Sequence, residues 1–252
     1  MIPMLIYNTK QKEINMLQKL SKDMIAFTED ESLHFMTFTQ PKELVKEIKK
    51  LDLLDIAIIE VTNIEEAKLA DVIRKRFPKV EIMLVSNATV SPMLYLNPNI
   101  KAASLAVRPL AEIQTKEIMR NFFQLSNRKI QKLNDDAVIW IEVQGEKLRV
   151  PYDKIIYFEA KNKRIYLRLQ SVEYGMYGTM DKLLEKLPDQ FIRCHRGFIV
   201  NKDYIHKVIF SENTIMLQEH MMIPLSRSYK TELKGMIKHG KSNDGEFLFE
   251  TG

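Results

Sequence analysis

The hydrophobic pattern divides the chain into two halves with different periodicities. In the first half, short continuous apolar runs alternate with amphipathic segments of helical period. Such runs are typical of strands that are buried on both faces of a parallel sheet. The predicted strands are 4–7, 33–38, 55–60, 81–86 and 104–107, and the predicted helices are 11–20, 41–50, 65–77 and 115–132. Residues 1–125 are therefore predicted to form a five-stranded, doubly wound α/β domain of flavodoxin-like type.

From residue 137 onward, short strands and turns replace this alternation. The predicted strands are 138–143, 147–150, 155–159, 164–169, 198–200, 205–210 and 214–217, with one helix at 180–187. The first two strands flank a turn at 144–145, as in a β-hairpin. Residues 137–239 are predicted to form a mostly-β domain. A polar linker at 126–136 precedes it, and a flexible tail at 240–252 follows it.

Composition and charge narrow the possible functions. The single cysteine, Cys194, excludes an intramolecular disulfide, and the N-terminal apolar run is too short for a signal peptide or a membrane span. We therefore expect a cytoplasmic protein without a membrane partner. The net charge is +5, but division at residue 134 gives +4 and +1, so bulk charge does not identify a nucleic-acid-binding half. The segment KNKRIYLR (161–168) does concentrate basic residues, although such a hairpin alone is more often a solvated turn.

Six motifs of the second half resemble the LytTR DNA-binding domain family. They are IIYFE (155–159), the basic hairpin at 161–168, YGTM (177–180), FIRCHR (191–196), FIVN (198–201) and IPLSRSY (223–229). The resemblance implies a domain that enters successive major grooves with loops and a strand edge rather than with a recognition helix. It also implies that the partner is double-stranded DNA with paired promoter repeats.

The resemblance assigns base contacts to Lys163, Arg196 and Arg227. Arginine can donate two hydrogen bonds to guanine, and lysine can contact guanine or phosphate. One family pattern has His and Asn in place of Lys163 and Arg196, so the base preference is not carried over. Eight neighbouring residues can donate hydrogen bonds to phosphate oxygens. They are Lys161, Arg164, His195, Asn201, Ser226, Ser228, Tyr229 and Lys230. For His195, a structural hydrogen bond is the alternative role.

The first half resembles the receiver domain of response regulators, with altered site residues. Glu60 stands at the position of the phosphoacceptor aspartate, Ser86 at that of the hydroxyl residue, and Arg108 at that of the lysine before a proline. Asn8 and Thr9 replace the two acids that hold a divalent cation. We therefore expect no metal, no cofactor and no phosphate transfer. Glu60 is either a built-in mimic of the phosphorylated state, paired with Arg108, or a remnant of a lost phosphorylation site.

These features predict a LytTR-type transcription regulator that acts as a homodimer without aspartate phosphorylation. The expected dimer surface is 90–125, where Leu94, Tyr95, Phe122 and Phe123 either supply apolar contacts or pack the core. One alternative is a binding module for an acidic protein or a membrane surface. Another is an enzyme, which we do not expect because the chain has no P-loop, G-x-S-x-G or G-x-G-x-x-G motif. The residues leave open whether a sensor kinase is a partner.

Overall fold

The computed structural model describes residues 1–25, 32–132, 137–143 and 145–239. The chain forms two compact units, Met1–Val150 and Pro151–Gly252. The first unit is α/β and the second is mostly β, which confirms the predicted fold class.

A five-stranded parallel sheet forms the centre of the first unit, in the order β2-β1-β3-β4-β5. Its strands are β1 (Ile2–Tyr7), β2 (Leu33–Phe38), β3 (Ile56–Glu60), β4 (Glu81–Asn87) and β5 (Ser104–Arg108). Its helices are α1 (Gln11–Ile25), α2 (Pro41–Ile48), α3 (Ile64–Arg76), α4 (Pro92–Tyr95) and α5 (Glu112–Lys132). This is the predicted doubly wound arrangement, with α4 as an additional one-turn helix.

Two apolar cores lie on opposite faces of this sheet. Side chains alternate across a strand, so Leu5 belongs to the core under α2 and α3, and Ile6 belongs to the core under α1 and α5. Phe122 and Phe123 of α5 are 1% and 2% exposed within the second core. Of the two alternatives for these residues, core packing therefore holds and dimer contact does not, because both rings are enclosed by the protein's own sheet and helices.

The boundary between the units differs from the predicted one. Helix α5 continues to Lys132 through most of the segment predicted as a linker, and residues 133–136, like the predicted tail at 240–252, lie outside the described residues. The two-stranded sheet of β6 (Val138–Val143) and β7 (Glu146–Pro151) belongs to the first unit as far as Val150. Buried Arg149 of β7 makes a 2.6 Å ion pair with Asp55, which directly precedes β3. This pair ties β7 to the body of the first unit.

The second unit contains a five-stranded antiparallel sheet, β10-β9-β8-β12-β11, and a three-stranded sheet, β13-β14-β15. The strands of the larger sheet are β8 (Tyr157–Lys161), β9 (Arg164–Arg168), β10 (Glu173–Met176), β11 (Phe191–His195) and β12 (Phe198–Asn201). Those of the smaller sheet are β13 (Ile205–Ile209), β14 (Thr214–Leu217) and β15 (Met222–Pro224). The helices are α6 (Met180–Leu184) and α7 (Arg227–His239).

Helix α7 was not predicted from the sequence, which gave one helix in this half. Leu233 of α7 is buried in the core of the second unit, and Tyr229, one helical turn earlier, packs against the same core. This four-residue apolar spacing was a usable signal. The sequence analysis took the first residues of this helix only as part of the motif IPLSRSY (223–229).

No helix of the described part of the chain is both long and apolar enough to cross a membrane. Among the same residues, no group of three or more His, Cys, Asp and Glu side chains is placed to hold a metal ion.

Replacing Arg149 with Met should destabilise the first unit by about 3 kcal/mol, because it leaves the Asp55 carboxylate without its cation. Burial raises the pKa of Asp55, and Arg149 offsets only part of that effect. A carboxyl group with a raised folded pKa contributes stability at low pH that is lost as the pH rises through that pKa. The penalty of Arg149→Met should therefore grow from acid to neutral pH in urea denaturation.

The exposed neighbour Lys147 provides the control. Lys147→Met should change the free energy of unfolding by no more than about 0.5 kcal/mol. Equal effects of the two substitutions at neutral pH would show that the ion pair does not hold β7.

Candidate nucleic-acid interface and receiver-like pocket

Three basic segments of the second unit meet at one end of the larger sheet. The β8–β9 turn and the β11–β12 turn lie at the same end because β8 and β12 pair antiparallel, and the Ala160 amide donates to the Gly197 carbonyl at 2.8 Å. The segment that begins α7 is joined to β11 by the Ser226 amide, which donates to the Cys194 carbonyl at 2.9 Å. The predicted base contacts Lys163, Arg196 and Arg227 thus come from three neighbouring segments.

The β8–β9 turn has a two-residue tip with left-handed backbone. Asn162 has a φ of 51° and Lys163 a φ of 61°, between the paired residues Lys161 and Arg164. This geometry is that of a type I′ hairpin turn, in which Asn followed by Gly is favoured. A lysine at the second position is strained and exposed, which is consistent with a side chain retained for contact rather than for folding.

Lys161 has acidic neighbours that the sequence motif did not include. Its ammonium lies 3.0 Å from a carboxylate oxygen of Glu173 and 3.3 Å from one of Glu159, and it lies over the Tyr166 ring at 4.5 Å. The hydrogen bond to Glu173 is the main cause that raises the pKa of Lys161. Its charge is therefore largely compensated before DNA arrives.

Arg164 has an aromatic partner that sequence reasoning missed. Its guanidinium lies 4.5 Å from the centre of the Tyr177 ring and donates to the Tyr177 hydroxyl. Tyr177 itself is 77% exposed. Arg164 is exposed, and it forms no ion pair with an acidic side chain among the described residues.

The β11–β12 turn presents Arg196 to solvent between His195 and Gly197. The His195 Nδ1 accepts a hydrogen bond from the Gly197 amide at 3.2 Å, so the proton of the neutral ring is on Nε2. Burial lowers the pKa of His195, and Arg196 and Arg193 lower it further. His195 thus has the structural hydrogen bond named as the alternative, while its Nε2–H stays available as a donor.

The third segment places Arg227 at the first position of α7, where it is exposed. The hydroxyl groups of Ser226 and Ser228 lie 2.9 Å apart, next to it. Lys230 donates to the Phe210 carbonyl at 2.6 Å, and Tyr229 is half-buried against the core. Arg227 and Ser228 are therefore the exposed residues of this segment, whereas Ser226, Tyr229 and Lys230 are half-buried.

Asn201 does not belong to this surface. Its side chain is fully buried, and its amide nitrogen donates to the carbonyls of Tyr152 and Ile155 at 3.2 and 2.9 Å. Its side-chain oxygen accepts from the Asp203 amide at 3.1 Å. The prediction that Asn201 contacts phosphate is incompatible with this geometry, because all of these groups serve the fold.

In the first unit, the predicted receiver-like pocket lies at the carboxyl ends of the parallel strands. Glu60 ends β3 and Arg108 ends β5, and their side chains form a 2.7 Å ion pair. The other Glu60 oxygen accepts from the backbone amide and hydroxyl of Thr9 at 2.6 and 2.8 Å. The amide oxygen of Asn8 lies 3.3 Å from the Arg108 guanidinium. Four of the predicted pocket residues therefore share one hydrogen-bonded network.

Glu13, in the first turn of α1, was missed by the sequence analysis. Its carboxylate accepts from Arg108 through three contacts of 2.7 to 3.0 Å and from the Asn8 side chain at 2.8 Å. Burial works to raise the pKa of Glu13, but the bonds from Arg108 and Asn8 outweigh it and hold that pKa below its usual value. One guanidinium thus serves two carboxylates, and its own pKa is raised.

Ser86 is buried beside this network, and its hydroxyl donates to the Val61 carbonyl at 2.6 Å. The Arg108–Pro109 peptide bond is cis. The remaining donors do not suit the magnesium ion of a receiver. Both carboxylates, Glu13 and Glu60, are already paired with Arg108, and Asn8 supplies a neutral oxygen.

Comparison with known proteins identifies a DNA-binding domain in the second half of the chain. Residues 145–238 match the family model of the LytTr DNA-binding domain. Accessory gene regulator protein A of Staphylococcus aureus (strain N315) is 28% identical over 217 residues, which cover 82% of this chain and 88% of that protein.

Two solved structures each match less than half of this chain. The LytTr DNA-binding domain of a Bacillus cereus response regulator is 29% identical, covers 41% of this chain and 98% of that chain, and has a TM-score of 0.37. A response regulator from Thermotoga maritima is 15% identical, covers 49% of this chain and 98% of that chain, and has a TM-score of 0.38. The chain thus contains a LytTR DNA-binding domain and is homologous to response regulators of the accessory gene regulator A type.

Proposed function

We propose that this chain is a LytTR-type transcription regulator that binds double-stranded promoter DNA through the turn end of its second unit. The observation that carries the proposal is the meeting of three exposed basic side chains, Lys163, Arg196 and Arg227, from segments far apart in sequence. Promoter DNA in a bacterial cell lies in the cytoplasm, where we expect the protein to act.

The surroundings of each side chain indicate whether it suits a base contact or a phosphate contact. Arg196 and Arg227 are exposed and can offer a planar pair of donors, which suits guanine O6 and N7. Arg164, stacked on Tyr177, and the Ser226 and Ser228 hydroxyls suit phosphate oxygens. Lys161 is a weaker phosphate contact than its charge suggests, because DNA must compete with Glu159 and Glu173.

Base reading and charge can be separated by titrating variants against cognate and scrambled duplexes at several salt concentrations. Arg196→Ala or Arg227→Ala should cost ~1–3 kcal/mol on the cognate duplex and much less on the scrambled one. Arg164→Ala should weaken both duplexes alike and reduce the slope of log affinity against log salt by roughly 0.9. Lys161→Ala should change that slope less than Arg164→Ala.

If Arg227→Ala lost equal affinity for both duplexes, its base-reading role would be wrong and a phosphate role would replace it. Binding of all variants without any sequence preference would instead favour a module for acidic partners.

Lys163 permits a test that separates folding from binding. Lys163→Gly relieves the left-handed strain at the turn tip, so it should raise the free energy of unfolding of the second unit by up to about 1 kcal/mol. The same substitution should weaken cognate DNA binding, since it removes the side chain. Urea denaturation and duplex titration of one variant measure both effects. Unchanged affinity would contradict the assignment of Lys163 to DNA contact, whereas reduced stability would contradict the strain at the turn tip.

We further propose that the first unit regulates without accepting a phosphate. The Glu60–Arg108 pair is the contact that a mimic of the phosphorylated state requires, and Glu13 adds a second anion to the same guanidinium. An incoming phosphoryl donor would meet two carboxylates, and the buried cation beside them, Arg108, is already paired with both. Charge neutralisation, which supplies most of the catalysis in phosphoryl transfer, is missing from this arrangement.

Incubation of the full chain with acetyl phosphate and Mg²⁺ should give no covalent adduct by intact mass, and Mg²⁺ should not raise the melting temperature. A variant with Thr9→Asp, Glu60→Asp and Arg108→Lys, which brings back three receiver residue types, serves as the comparison. A stoichiometric adduct on the unaltered chain would overturn the proposal.

We also propose that the protein binds paired DNA repeats as a homodimer. Its dimer contacts would come from other residues of the segment 90–125 than the four predicted from the sequence. Exposed apolar side chains in the segment 90–125 are Met93, Leu96, Val107, Ile113 and Leu125, with Met93 and Ile113 87% and 85% exposed. Leu94 and Tyr95 are half-buried against the first unit's own core. A two-fold interface uses the same residues on both subunits, so apolar side chains of this segment would meet their own copies across it.

Met93→Glu combined with Ile113→Glu should abolish cooperative binding to a two-repeat duplex and leave binding to a single repeat unchanged. Ile64→Glu, on exposed Ile64 of α3, is the matched control and should keep the cooperativity. Sedimentation of each variant with each duplex measures the stoichiometry. Unchanged cooperativity in the double variant would rule out this surface.

A further inference from the structure

The β11–β12 turn, which presents Arg196, is irregular and has to be held in shape. The pairing of β11 with β12 shifts register between Arg193 and His195, so Cys194 forms a bulge in β11 directly before the last pair, His195 with Phe198. Arg196 and Gly197 form the turn beyond that pair. A turn of this kind does not by itself fix the direction of an exposed side chain. Its carbonyl groups need partners other than the ladder.

Arg193 supplies those partners. Its Nε donates to the His195 carbonyl at 2.8 Å, and one of its terminal nitrogens donates to the Arg196 carbonyl. Its other terminal nitrogen lies 3.5 Å from the Asp181 carboxylate at the start of α6. Only 9% of the Arg193 side chain is exposed. Its guanidinium is thus turned into the turn and away from any DNA phosphate.

The remaining contacts of the turn complete the support. The His195 Nδ1 accepts from the Gly197 amide, and the Gly197 carbonyl accepts from the Ala160 amide of β8. The carbonyls of His195 and Arg196 are bound by one planar fork, a geometry that lysine cannot reproduce because its ammonium is a single point donor.

We propose that Arg193 is a positioning residue for base reading: it binds the carbonyls of His195 and Arg196, which lie on either side of the Arg196 Cα, and so sets the direction in which the Arg196 side chain leaves the turn. This inference rests on the proposed function, because it assumes that Arg196 contacts bases. Arg193, a buried residue that does not contact DNA, would thus contribute to the base specificity of the site.

The experiment is a comparison of Arg193→Lys and Arg193→Gln with the unaltered full chain on cognate and scrambled duplexes at several salt concentrations. Arg193→Lys should lose about tenfold in cognate affinity, in the range of one bidentate base contact, and less than about twofold on scrambled DNA. The salt slope should stay unchanged for both variants, since Arg193 neutralises no phosphate. Lys182→Gln, which removes an exposed charge of α6, is the control for the lost charge and should keep the cognate preference.

A double-variant cycle tests whether Arg193 acts through Arg196. In the Arg196→Ala background, Arg193→Lys should cause no further loss of discrimination, because the two residues serve one contact. Additive losses would overturn the inference, as would a salt slope lowered by roughly 0.9, which would make Arg193 a phosphate contact. Loss on both duplexes together with a lower melting temperature in both Arg193 variants would show a merely structural role and would also overturn it.

The outcomes also separate this inference from the proposed function. If Arg196→Ala keeps full discrimination, the base-reading role of Arg196 fails first. If Arg196→Ala loses discrimination and Arg193→Lys does not, only the positioning role of Arg193 fails.

Discussion

The antiparallel pairing of β8 with β12 is the constraint on which the DNA-binding surface depends. It fixes the β8–β9 and β11–β12 turns at one end of the sheet, with the Ala160–Gly197 hydrogen bond as its last rung. A shift by one residue would turn the side chains of one strand to the opposite face of the sheet. The Ser226–Cys194 bond then adds the start of α7 to the same end.

Partners decide what each charged residue can do. Lys161 has two carboxylates beside it, whereas Arg164 has the Tyr177 ring, so adjacent cations of one hairpin differ in how freely they can meet phosphate. Arg108 is the opposite extreme: it is 9% exposed and pairs with both Glu13 and Glu60. A buried charge is tolerable only with such partners.

The two arginines of the β11–β12 turn show the same division at close range. The Arg196 side chain is exposed to solvent, whereas Arg193, three residues earlier, donates hydrogen bonds to the carbonyls of the turn. One basic motif therefore contains both an exposed arginine, Arg196, and the arginine that holds its turn, Arg193. Sequence spacing treats them alike, and burial distinguishes them.

The sequence by itself determined the fold of both units and the segments of the interface, because buried parallel strands and short antiparallel strands leave different hydrophobic periods. It also indicated Glu60, Arg108, Lys163, Arg196 and Arg227, since these stand at recognisable positions in local motifs. Only the tertiary structure brought distant groups together: Glu13 with Arg108, Glu173 with Lys161, and Arg149 with Asp55. It also buried Asn201, which a motif assigned to phosphate contact, and it decided between the two alternatives for Phe122 and Phe123 by packing both in the core. The physical reason is that periodicity reports which face of a segment is apolar, whereas the partner of a polar or aromatic side chain is chosen by the packing of elements far apart in the chain.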